Sequence, residues 1–160
     1  MTRSQRLVQP LLIATVVFHS ATGAPQDRNA TVPMPQSKYD RIIAPYVAKA
    51  RATYPAAKKR FFAGLPRGWT FEVWVRMYQN DNAGKHVAAE DCFLRVELIQ
   101  EGRVWGVLMN QPLIVHGYTR GDRVTAPETE VRNWMFVRPD GTEEGNIVGK
   151  FLEKHGYVPK

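Results

Sequence analysis

The sequence predicts an α+β domain: helices at the N-terminal end, then an antiparallel, meander-type twisted sheet that could roll into a barrel, and a short C-terminal helix. Three observations carry this. Ile42, Ile43, Tyr46, Val47 and Ala50 recur on one helical face. From Trp69 the apolar period drops to two, with Trp69, Phe71, Val73, Val75 and Met77 alternating against Thr70, Glu72, Trp74, Arg76 and Tyr78. Near the end, Ile147, Val148, Phe151 and Leu152 return to helical spacing.

The first helix is expected over about 38–53, opened by a capping-box pair, Ser37 and Asp40. Pro45 inside it means a later start or a kink. A second short helix is expected from Pro55 to Phe62, stopped by Gly64. Asn80-Asp81-Asn82-Ala83-Gly84 is turn chemistry, so the strand from Trp69 folds back on a strand containing Cys92, Leu94, Val96 and Leu98. Glu101-Gly102 turns the chain into a third strand, Val104 to Leu108, where Gly106 marks a bulge or the close approach of another backbone. Leu113 to Val115 reads as short and extended, Arg120-Gly121-Asp122 as a turn, 127–130 as one helical turn or a loop, and Trp134 to Val137 as a strand. No internal repeat or low-complexity segment is present.

The N-terminus has the outline of a signal peptide: Arg3 and Arg6 precede an apolar run from Leu7 to Phe18, and small residues surround Gly23. The run is about a dozen residues, short of the roughly 20 that span a bilayer as a helix. The expected organisation is a signal peptide over 1–23, cleaved near Gly23, a flexible leader over 24–36 and one domain over 37–160. The mature protein is expected in the periplasm or outside a bacterial cell, without a membrane span. Residues 1–23 remove two arginines and no acid from the 22 basic and 15 acidic residues, which leaves a formal charge of +5. That balance favours anionic neighbours. Nucleic acid is not expected, because lysines and arginines are scattered along the chain and not massed in a run. Cys92 is the single cysteine, so the fold relies on its core and not on an internal disulfide.

Four strings in order, Ala48-Lys49-Ala50-Arg51-Ala52-Thr53, Gly106-Val107-Leu108-Met109-Asn110-Gln111-Pro112, Gly121-Asp122-Arg123-Val124 and Asn133-Trp134-Met135-Phe136-Val137, resemble the YegJ-like family, the domain of unknown function numbered 2314. The resemblance covers about residues 45–150 and implies a compact α+β domain with no established activity. The family pattern has a His closely followed by Trp where this chain reads Glu90-Asp91-Cys92-Phe93, and an Asp where it has Asn133. Both departures argue against an enzyme.

The weak catalytic candidates are Cys92 and His116, a thiol and an imidazole that only folding across strands could bring together. His86 and Cys92 on one strand stand about 20 Å apart at 3.3 Å per residue. Cys92 reads more simply as a small buried side chain. His86 and Glu90 lack a gathered third ligand, so neither a metal nor another cofactor is expected. The binding candidates are Trp74, Arg76 and Tyr78, a stripe on one strand face with the composition of a docking surface. Alternatively, the terminal helix covers that face and buries Trp74. The expected function is a non-catalytic binding domain that engages another envelope or secreted protein through one face of its sheet, as an inhibitor or an immunity-type protein against an envelope toxin. The alternatives are a small Cys/His hydrolase and an accessory domain binding cell wall or anionic lipid.

Overall fold

A computed structural model of the chain describes residues 36–157. The expected signal peptide, and the leader up to residue 35, lie outside the described residues. Helix α1 runs Gln36–Phe62 and is followed by β1 (Thr70–Asn80), β2 (His86–Gln100), β3 (Arg103–Leu108) and β4 (Arg123–Pro127). A single 3₁₀ turn, Glu128–Glu130, leads into β5 (Val131–Val137), β6 (Glu143–Gly145) and α2 (Ile147–Lys154). The strands form one antiparallel sheet in the order β4-β3-β2-β1-β5-β6.

Two helices were expected at the N-terminal end, and one is found. Its buried stripe, Ile43, Val47, Ala50, Tyr54 and Ala57, passes straight through the expected break. Pro45 and Pro55 both lie on its exposed side, so the backbone bonds they remove are lost toward water, where solvent can replace them. Ser37 sits inside the helix and forms no capping box. Asp40 turns to Arg76 and Arg132.

The two-residue alternation gives the sheet two apolar faces. Phe71, Val73, Val75, Cys92, Leu94, Val104, Leu108 and Phe136 line the inner face, where Tyr54 and Ala57 of α1 join them. Trp74, Phe93 and Met135 project from the outer face, under Ile43 and Val47 of α1 and Val148 and Leu152 of α2. Each fully buried Val, Leu or Phe contributes about 1.5–3 kcal/mol to these layers. α1 therefore crosses from one face to the other beside β5. Arg51 fixes the crossing: its Nε donates to the Val131 carbonyl at 2.8 Å and its Nη2 to that of Thr129 at 3.0 Å. The Trp134 indole donates to the Ala50 carbonyl at 3.1 Å and to Thr53 Oγ1 at 2.9 Å. The sheet does not close into a barrel, because β4 and β6 remain its edges.

Gly106 does mark a close approach. A Cβ there would lie 2.4 Å from the carbonyl oxygen of Arg95, next to the register shift between Val96 and Leu98. α2 is capped by Asn146, whose side chain accepts from the Gly149 amide at 3.2 Å while Asn133 donates to it at 2.8 Å. The three-residue β6 lacked any apolar period to reveal it. Leu113 to Val115 forms bends and no strand.

Candidate binding end of the sheet

The loop from Met109 to Asp122 joins β3 to β4 without regular structure beyond bends and a turn, longer than most connections in a compact domain. It is nevertheless fixed at many points. Glu90 lies on the inner face of β2, opposite Met77, and is buried. Its carboxylate accepts from the amides of Leu113 at 3.0 and 2.9 Å, Ile114 at 2.8 Å and Val115 at 3.3 Å. Charge-assisted bonds of this kind are about twice as strong as neutral ones. Val115 is thereby seated in the interior. Asn110 Oδ1 accepts from the Phe93 amide at 2.8 Å, and the Gln111 side chain bridges the loop, donating to the Tyr118 carbonyl at 3.2 Å and accepting from the Arg120 amide at 3.2 Å. Gln79 of β1 accepts from the His116 amide at 2.8 Å, which moors the loop beside the β1–β2 hairpin.

Large apolar side chains are offered to solvent here, among polar ones such as Lys85, His86, His116 and Arg120. Five of the eight large hydrophobic residues that are exposed among the described residues, Tyr78, Val87, Leu113, Ile114 and Tyr118, belong to this loop or to the adjoining end of the hairpin. The other three are Phe62 on α1 and the cross-strand pair Leu98 and Trp105 on β2 and β3, so the larger concentration falls at this end. Tyr78 is itself held, stacked on His86 at 4.2 Å between centroids and donating from its hydroxyl to Glu130 at 3.1 Å.

The stripe expected from Trp74, Arg76 and Tyr78 does not form one open surface. Trp74 is 6 % exposed beneath both helices, and Arg76 is also 6 % exposed, whereas Tyr78 is 38 % exposed. The covering alternative is the one the fold adopts, because α2 needs an apolar bed and Trp74 with Phe93 and Met135 supplies it. Arg76 lies inside an ion network. Its guanidinium meets Asp40 and, through Nε at 2.9 Å, Asp91; Arg132 meets Asp40 at 2.8 Å and Asp91 at 3.3 Å. Burial pushes the Asp91 carboxyl up to about 7, against the pull of Arg76, and pushes the neighbouring Tyr39 hydroxyl up as well. The network fastens the first turns of α1 to three strands.

Cys92 is fully buried, and burial first, then Glu90, pushes its thiol up to about 12. A thiol so hard to ionise is a poor nucleophile at neutral pH. His116 is exposed on the loop, held there through its backbone amide. No group of three or more potential metal ligands gathers among the described residues. The Arg120-Gly121-Asp122 turn is closed by the Asp122 carboxylate, which accepts from the Thr119 amide at 2.8 Å.

Sequence reading missed Glu90 and the loop it holds. The signal was present: Glu90 falls in register with Cys92 and Leu94 on the apolar face, and a carboxylate there requires buried donors. Asn110 and Gln111, two amides ahead of Pro112, were the matching sign of a side-chain-capped loop.

These features define a small α+β domain with an open antiparallel sheet, one face shared with two helices and one end tipped with fixed apolar side chains. Residues 44–154 match the family described as an uncharacterized protein conserved in bacteria, DUF2314, and the chain belongs to that family. No curated protein matches the chain, and no solved structure does. Among the described residues no helix is long and apolar enough to cross a membrane.

Proposed function

We propose that this is an exported, non-catalytic binding domain that engages another protein through the end of the sheet formed by the Met109–Asp122 loop and the β1–β2 hairpin. The reading rests on one observation: exposed Leu113, Ile114 and Tyr118 stand on a loop whose backbone is fixed from beneath by a buried carboxylate. A surface fixed in advance loses little conformational entropy on binding, which favours a tight complex. An inhibitor or an immunity-type protein against an envelope toxin works in that way, offering a rigid apolar tip to a cleft of its target. The Cys/His hydrolase alternative is not favoured by the burial of Cys92.

The test is affinity capture from envelope extract with the parent chain and with the Leu113→Ala/Ile114→Ala double variant, followed by mass spectrometry. The variant should melt close to the parent, because both side chains are exposed, and should release the captured protein with a loss of about 2 kcal/mol or more. Trp74→Ala is the contrast, expected to cost about 3–5 kcal/mol of stability through a cavity. A partner held equally by the double variant would remove this end from the proposal. Export carries its own test: sequencing of the mature protein should begin at Ala24, and a mature chain that keeps Leu7 to Phe18 would refute it.

A further inference from the structure

A second surface, away from the apolar end, is defined by charge. Helix α1 carries seven basic residues and one acid. The acid, Asp40, is held by Arg76 and Arg132. Three of the cations are also engaged: Arg51 on the carbonyls of Val131 and Thr129, Lys58 on Glu128 at 2.6 Å, and Arg60 on Glu144 at 2.5 Å. The remaining four, Lys38, Arg41, Lys49 and Lys59, are all exposed, and Lys49 lies over the Tyr46 ring at 5.7 Å.

At 100° per residue these four fall on the side of the helix opposite the buried stripe of Ile43, Val47, Ala50, Tyr54 and Ala57. Between them on that side stand only Pro45, Ala48, Ala52 and Ala56, small and exposed. From Lys38 to Lys59 the strip is about 32 Å long at 1.5 Å per residue. It carries a formal charge of four positive units and no acid. The arginines and lysines that look scattered in the sequence are thus gathered by the helix into one cationic ledge.

We propose that this face of α1 docks an acidic segment of a partner protein, its carboxylates set against Lys38, Arg41, Lys49 and Lys59. Charge complementarity over such a length steers association and fixes register. The small residues between the cations favour a polypeptide over a bilayer. Small side chains let a partner's side chains pack close to the helix, whereas a helix lying in a membrane surface presents large apolar groups on the buried side. The ledge is independent of the apolar loop end.

The probe is a synthetic helical peptide of about 20 residues with glutamates spaced four apart on an alanine background, titrated against the full-length protein by fluorescence anisotropy. Its glutamine counterpart, a 20-nucleotide single-stranded DNA and vesicles of phosphatidylglycerol and phosphatidylcholine are the comparison arms. The acidic peptide should bind, weaken steeply as salt rises, and lose about tenfold or more in affinity on the quadruple variant Lys38→Gln/Arg41→Gln/Lys49→Gln/Lys59→Gln. That variant should melt like the parent, since all four side chains are exposed, and the Leu113→Ala/Ile114→Ala variant should bind the peptide as the parent does. Equal binding of the glutamine peptide, or equal binding by the quadruple variant, would overturn the proposal. Tighter binding of DNA or vesicles than of the peptide at the same salt would replace the acidic protein with that polyanion.

Discussion

Asp91 shows how far a single side chain can depart from its sequence description. In the string Glu90-Asp91-Cys92-Phe93 it looks like an ordinary strand acid, but its strand neighbours are split between two buried faces. It ends beneath α1, between Arg76 and Arg132. Its carboxyl titrates near 7 in the fold and near 4 in the unfolded chain. Between those values the folded state holds more protons, so this group's contribution to stability declines as pH rises from about 4 to about 7 and is level above. Asp91→Asn should remove that slope. Melting temperatures of parent and variant across pH 4.5–7.5 check it; parallel curves would show that Asp91 titrates normally. Trp74 and Arg76 were legible as a pair on one strand face, and what the strand pattern did not disclose was that two helices lie on that face. Amphipathic alternation names a side, never its cover.

Among the elements, the strands were the most legible part, because turn residues punctuate them: Asn80-Asp81-Asn82-Ala83-Gly84, Glu101-Gly102 and Arg120-Gly121-Asp122 each fall at a real reversal. The helix was misdivided because proline penalties weigh heavily in a local reading, while the continuous buried stripe of α1 outweighs them in the fold. The Met109–Asp122 loop was the least legible, since its order comes from a residue some 23–25 positions earlier in the chain. That dependence can be measured. Glu90→Gln places an amide group against backbone donors and should cost about 1–3 kcal/mol, with faster hydrogen exchange at Leu113, Ile114 and Val115. Unchanged exchange at those amides would show that Asn110 and Gln111 suffice to hold the loop.

At the scale of the whole molecule, the family resemblance and the α+β class were readable from four short strings and two periods. The course of α1 was not, because it depends on partners at the far end of the chain. Asp40 meets Arg132 across 92 residues and Arg51 meets Val131 across 80. In any vectorial passage, whether from a ribosome or through a secretion channel, α1 emerges first and its bedding in β5 and α2 arrives last. Contacts of such separation are slow to form, and they keep the chain pliant until nearly all of it has been delivered. A chain ended after Pro127 should therefore show no cooperative melt by circular dichroism, and a sharp transition in it would mean that the first four strands fold without their late partners. Lateness then has a use of its own: a domain that cannot finish folding early stays threadable until its last strand and helix have arrived.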